Sequence, residues 1–285
     1  MTDDMPADRT PADQTPADRT SAGAVATARV AYLGPAGTFT ETAARLITGT
    51  DDPDALVPCG DIIEVLRSVE QGRAVRGVVP IENTLEGSVT ATLDAMAFDT
   101  DLLIHGELEI PVNLVAAAVP GTRLADAQTV HTHPVPMSGC RRWLSSTVPD
   151  AERVLSASTA QAASDVARLG VGHLAIVNPL AADRYGLEIL ARDVADRAAN
   201  STRFVVVGRH VPAPTGWDKT SIVVFIETNQ PGALLKLMEI FAERDLNLTK
   251  IVSRPTHAEI GEYCFFLDVV GLLADERVGD ALAAV

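Results

Sequence analysis

Aromatic side chains are scarce: Phe, Trp and Tyr together make up 4% of the 285 residues. Any core must therefore be assembled from Ala, Val, Leu and Ile. Basic residues are also few, with 23 Lys and Arg against 38 Asp and Glu, a formal net charge of -15. That balance argues against nucleic acid or an anionic membrane surface as the main partner, because nothing would neutralise phosphates. A small anion can still bind where local cations or helix N-termini overcome the general field. The three cysteines, Cys59, Cys140 and Cys264, are odd in number and far apart, which fits neither a disulfide framework nor a zinc knuckle. No run approaches the ~18 apolar residues of a membrane span, and there is no basic-then-apolar leader at the N-terminus. The expectation is a reduced, cytoplasmic protein.

What is present is ordinary for a globular chain, 47% hydrophobic and 21% charged. The length leaves room for two domains of roughly 100–200 residues each. Residues 6–20 repeat PADRT, PADQT, PADRT; so much proline, charge and small residue cannot offset chain entropy by burial. Residues 1–27 are therefore read as a disordered tail.

Structure is expected from residue 28. Arg29 to Leu33 reads as a strand, followed by a glycine-rich turn and a helix start at which Thr38 and Glu41 stand three apart, the spacing of a capping box. Unpaired N–H groups there would face whatever lies above the sheet. Asp61 and Glu64 repeat the spacing. The run 75–79 is a buried strand closed by Pro80, which places Glu82 and Asn83 at a strand's C-terminal end, where open α/β sheets bind ligands. The order β-α-β-α-β-α predicts a parallel sheet. An apolar stretch from Glu107 to Val119 carries the chain into a second lobe, with further strands near Thr129–His131 and His173–Val177 and a helix opened by Ser158, Thr159, Ala160 and Gln161. Ser158 reads as an N-cap with Gln161 as its reciprocal partner. His131 and His133 lack any accompanying carboxylate or cysteine cluster, so no metal is assigned. The boundaries read from this pattern are lobe 1 at 28–106 and 187–210, lobe 2 at 107–186, a Pro- and Gly-bearing linker at 211–218, and a C-terminal unit at 219–285.

That unit reads β-α-β-β-α, one strand short of the ferredoxin-like plan. Leu234, Leu237, Met238 and Phe241 line its first helix at i, i+3, i+4, i+7. The sequence stops within the last helix, and the expectation is a missing final strand and an unpaired sheet edge.

The stretch Asn200-Ser201-Thr202-Arg203-Phe204 feeds straight into Val205-Val206-Val207-Gly208, a short buried strand. Arg203 can grip a carboxylate with two parallel donors, and Thr202 offers a hydroxyl. The plainer reading gives Arg203 an ordinary ion pair and Thr202 a turn-capping bond.

With YLGPAGTFTE, VPIENTLEGSV, the HTHP stretch, YGLEIL, NSTRFVVVG and the NQPGALLKLMEIF run, the chain from about Val30 to Val285 resembles prephenate dehydratase with a C-terminal ACT regulatory domain. It differs at Val252, where that family has glutamate, and at Gly139, where it often has glutamine. The resemblance implies an α/β fold: a two-lobed, periplasmic-binding-protein-like catalytic domain followed by a ferredoxin-like ACT domain. It implies a lyase that converts prephenate to phenylpyruvate, water and carbon dioxide in phenylalanine biosynthesis, without a cofactor. L-phenylalanine would be the allosteric effector, and the assembly a homodimer or homotetramer. Thr202 matches the family's catalytic threonine, with Arg203 on a substrate carboxylate and Glu82 as proton source once closure dries the cleft. Thr38, Asn83, Ser88, Ser158, Thr159, Ser201 and Phe204 are the expected substrate contacts. Gly232, Ala233, Leu234, Asn247, Leu248, Ser253 and Arg254 are the expected effector contacts, shared between two chains. Rival readings are a non-catalytic two-lobed anion-binding or amino-acid-sensing protein, and an arogenate dehydratase.

Overall fold

The computed structural model describes residues 29–285 apart from 51, 198, 227–229, 257, 258 and 260; the repeat tail at 1–27 lies outside the described residues. Lobe 1 opens with β1 (Val30–Leu33), α1 (Phe39–Thr48), β2 (Leu56–Cys59), α2 (Ile62–Glu70) and β3 (Arg76–Asn83). It continues with β4 (Gly87–Ser88), α3 (Thr90–Phe98) and β5 (Leu103–Pro111). Lobe 2 holds β6 (Val115–Ala118), β7 (Thr129–Thr132), α4 (Pro134–Gly139), α5 (Arg141–Thr147), β8 (Glu152–Leu155), α6 (Thr159–Leu169), β9 (His173–Val177), α7 (Pro179–Arg184) and β10 (Glu188–Ala191). The chain then re-enters lobe 1 as β11 (Ser201–Gly208).

Lobe 1 is a sheet in the order β2-β1-β3-β11-β5, with β4 on β3. Strands β1, β2 and β3 are parallel as the sequence predicts, but β11 runs antiparallel to both β3 and β5. The sheet is therefore mixed, because the strand that returns from lobe 2 inserts between β3 and β5. Lobe 2 is ordered β10-β6-β9-β7-β8. These pairings move the lobe boundaries: β5 belongs to lobe 1 as far as Pro111, and β10 pairs with β6 in lobe 2. The two crossings lie side by side, where the Val112 N–H donates to the Asn200 carbonyl at 2.8 Å.

Ala, Val, Leu and Ile supply most of each core, around a few buried aromatics. Tyr32, Val78, Ile110 and Phe204 meet Ala43 and Ala44 of α1 on one face of the lobe 1 sheet. On the other, Val79, Val205 and Val207 meet Val65, Leu66 and Val69 of α2. Cys264 and Phe266 of the C-terminal domain join that second cluster, so this domain docks on the face of lobe 1 opposite α1.

The C-terminal domain comprises β12 (Lys219–Phe225), α8 (Ala233–Ala242), β13 (Leu248–Pro255), β14 (Tyr263–Val270) and α9 (Glu276–Ala283). Its order β12-β14-β13 is antiparallel throughout, the ferredoxin-like pairing expected from β-α-β-β-α. No helix among the described residues is long and apolar enough to cross a membrane.

Candidate active site

A cavity of about 1070 Å³ lies between the lobes. Residues 200–204, which lead into and open β11, show how the strand is used. Asn200, Thr202 and Phe204 line the cavity, whereas Ser201 and Arg203 do not. Successive side chains of a strand point to opposite faces, so a residue and its neighbour cannot share one. Ser201 turns to Glu109 instead, through a short hydrogen bond to its carboxylate.

Arg203 faces the C-terminal domain. Its Nε donates to Glu107 Oε2 at 2.6 Å, and its Nη1 to Asp268 Oδ2 of β14 at 2.7 Å. Glu82, its cross-strand partner, lies 3.6 Å from Nη1 and accepts from Lys250 Nζ at 2.9 Å. Burial alone would lower the guanidinium's pKa, but the Asp268 and Glu107 carboxylates more than reverse this. Two expectations are thereby corrected. Neither the Arg203 guanidinium nor the Glu82 carboxylate faces the cleft, because both sit on the sheet surface covered by the other domain. Ser88, paired with Glu82 in the ladder, is likewise not among the lining residues.

Asn83 stays in the cleft because the ladder slips. Arg203 pairs with Glu82 but Phe204 pairs with Pro80, leaving Ile81 as an extra residue, a β-bulge. Pro80 and Asn83 therefore both line the cavity although three apart. Asn83 Oδ1 accepts from the Leu85 and Glu86 N–H groups at 2.9 and 3.1 Å. Its amide orientation is thus fixed, and Nδ2 donates to Thr202 Oγ1 at 2.9 Å, Asn200 Oδ1 at 3.0 Å and the Ser201 carbonyl at 3.1 Å. With a lone pair of Thr202 Oγ1 so occupied, the hydroxyl hydrogen is free to point into the cleft.

Two helix starts aim at the same space. Thr38 caps α1, accepting from the Glu41 N–H at 3.4 Å, and Ser158 caps α6, accepting from Gln161 N–H at 2.9 Å; both caps and Thr159 line the cavity. Gln161 does not reciprocate; its Nε2 donates to Asp165. Glu41 also departs from the capping box, reaching the Gly37 N–H at 2.5 Å. It further accepts from Arg45 at 2.7 Å and, across the lobes, from Arg184 at 2.6 Å. Burial would raise its pKa; the Gly37 N–H and the two arginines hold it below the ordinary value.

The cleft's arginines come from lobe 2 and the returning loop: Arg141, Arg142 and Arg197. Asp196 restrains Arg142. Its carboxylate accepts the Arg142 and Trp143 N–H groups at 2.9 and 3.1 Å, and the Arg142 guanidinium donates to its carbonyl at 2.9 Å. These contacts outweigh desolvation and lower the pKa of Asp196. Arg141 and Arg197 lie exposed along the cleft. Sequence reading missed both; their only local signal is basic residues beside a helix start and just before the strand bearing Thr202. His133 also lines the cleft, where burial holds its pKa below the ordinary value, while His131 bonds Thr129 at 2.8 Å. Among the described residues no group of three or more His, Cys, Asp or Glu is placed to hold a metal.

The expected effector residues fall at two ends of the C-terminal sheet. Gly232, at φ 86°, precedes α8, with Ala233 and Leu234 in its first turn. Ser253 and Arg254 pair with Phe265 and Cys264, and Leu248 pairs with Val269 at the far end, next to Asn247. The six residue steps of strand from Leu248 to Arg254 span roughly 20 Å. Arg254 is engaged elsewhere: its guanidinium makes a two-point bond to Asp94 of α3 at 2.9 and 2.7 Å.

Residues 30–212 match the family model for prephenate dehydratase, and residues 220–285 that for the ACT domain. The prephenate dehydratase of Mycolicibacterium vanbaalenii is 44% identical over 270 residues, covering 90% of this chain and 86% of that one. The crystal structure of prephenate dehydratase from Arthrobacter aurescens, in complex with L-Phe, is 40% identical with a TM-score of 0.82, over 90% and 84% of the two chains. GqqA, described as a quorum-quenching acylase, is 31% identical with a TM-score of 0.78, over 89% and 91%. Fold and matches together define a two-lobed lyase domain joined to an ACT domain. The chain belongs to the prephenate dehydratase family.

Proposed function

We propose that Thr202 assists departure of the ring hydroxyl of prephenate in the interlobe cleft. The carboxylate carbon–ring bond breaks and carbon dioxide leaves. Its electron pair enters the ring, and the hydroxyl at the far ring carbon departs as hydroxide, which takes a proton from solvent to become water. Aromatisation drives the reaction, so the protein has to hold a dianion and ease one departure. Thr202 is too weak an acid to donate its proton outright; its hydrogen bond tightens as charge gathers on the leaving oxygen. Arg141 and Arg197, with the helix starts at Thr38 and Ser158, receive the carboxylates. The observation that carries this reading is the hydroxyl of Thr202 in the cavity, its lone pair taken by Asn83.

L-phenylalanine is the proposed effector, at a site completed by a second copy of the chain. Gly232–Leu234 and Asn247–Leu248 lie at opposite ends of one ACT sheet, so a single small amino acid would need one group from each of two chains. Purified protein mixed with prephenate should release phenylpyruvate, whose absence would reject the catalytic reading; arogenate in the same assay decides between the two substrates. Calorimetry with L-phenylalanine should give heat, and a flat trace would reject the effector site.

A further inference from the structure

Behind Thr202, on the sheet face away from the cleft, three cations meet three carboxylates. Arg203 is bound by Glu107 of β5 and Asp268 of β14, and lies 3.6 Å from Glu82 of β3. Lys219 of β12 donates to Glu107 at 2.8 Å, and Lys250 of β13 to Glu82 at 2.9 Å. Every strand of the ACT sheet thus contributes one charged group, and three adjacent strands of lobe 1 contribute the rest. Asp268 is 4% exposed and its second oxygen accepts from Ser221 at 2.7 Å. It cannot follow a displaced guanidinium without leaving a buried charge unpaired.

Arg203 and Thr202 share a peptide bond at the bulge where β3 carries its extra residue. A bulge is the point in a ladder where strand pairing is interrupted, so it is where the aim of a side chain is most readily altered. We propose that Arg203 is a positioning residue through which Asp268 of the ACT domain sets the aim of the Thr202 hydroxyl. This rests on the reading that Thr202 assists the departing hydroxyl. It gives the ACT domain a direct mechanical hold on the reacting group, one residue deep, on a strand that both domains touch.

The test uses the full chain and prephenate, with Arg203→Gln, Arg203→Lys, Asp268→Asn and the double variant Arg203→Gln/Asp268→Asn. Asp268→Asn, which touches nothing in the cleft, should lower kcat about tenfold with KM changed less than threefold. Arg203→Gln should do the same, Arg203→Lys should recover most of the loss, and the double variant should be no worse than either single one, because coupled residues are not additive. Melting curves identify variants that fail to fold, for which Asp268→Glu, keeping the charge, is the substitute. A direct grip on substrate would instead raise KM in the Arg203 variants and leave Asp268→Asn at wild-type kcat, overturning the proposal while the Thr202 reading stands. An inactive parent protein would overturn both.

Discussion

Asn83 Nδ2 lies 2.9 Å from Thr202 Oγ1, and the same amide's oxygen is pinned by two loop N–H groups. The donor therefore cannot be exchanged for an acceptor by a simple flip. Asn83→Asp puts a second oxygen where the NH₂ stood, and the Thr202 hydroxyl would turn to donate to it. Turnover should fall by roughly 10²-fold, Thr202→Ala by roughly 10²–10⁴-fold. The double variant should lose no more than Thr202→Ala alone. Steady-state kinetics on the three proteins checks this; additive losses would separate the two residues.

Arg141 and Arg197 line the cleft, and among the described residues no side chain draws either guanidinium away from it. Arg141→Gln and Arg197→Gln should each raise KM by roughly 10–100-fold, the worth of a charge-assisted hydrogen bond, with kcat within a few-fold. Added salt should weaken binding to the parent more than to the variants.

Glu41 predicts an acid-labile link between the lobes. Its folded pKa lies below the ordinary 4.5. Its contribution is therefore fully present above about 4.5 and is lost as pH falls through the lower folded value. Glu41→Gln should lower the melting temperature at neutral pH, and the gap to the parent should narrow on acidification below 4.5. A gap that stays constant or widens would show that the carboxylate is not the group responsible.

Gly77 lies where β3 passes under α2. A Cβ there would stand 2.9 Å from a methyl of Val65 and 2.9 Å from one of Val207. Both belong to a close-packed core, so Gly77→Ala should destabilise by about 1–3 kcal/mol. Urea denaturation reads this, and an unchanged midpoint would mean that the helix shifts freely.

Cys140 is buried, and desolvation pushes its thiol up to about 12. Burial raises the pKa of Cys59 and Cys264 as well. The thiolate is the reactive form, so a thiol reagent at neutral pH should label the native protein slowly and the denatured protein three times over. Rapid native labelling would place a cysteine in an exposed site.

Local chemistry was legible in the sequence; facing was not. Thr38, Asp61 and Ser158 cap the helices expected of them because a cap is a matter of three or four consecutive residues. The β-α-β-β-α order of the ACT domain was readable for the same reason. Thr202 and Arg203 carried equal weight as sequence, yet which of them faces the cleft depends on which sheet face the ACT domain covers. That is settled by Cys264 and Phe266, more than sixty residues away. The lobe boundaries failed similarly, since β10 owes its place to pairing with β6, and β11 its antiparallel direction to the gap between β3 and β5.

The Val112–Asn200 bond, where both crossings run together, has a kinematic consequence. A rotation of one lobe against the other hinged at this pair would leave Thr202 only two residues from the axis. Points near a pivot hardly travel, while Arg141 and Ser158, carried on lobe 2, would move with that lobe. Closure would thus bring Arg141 and Ser158 toward a hydroxyl that keeps its place whether the jaws are parted or shut.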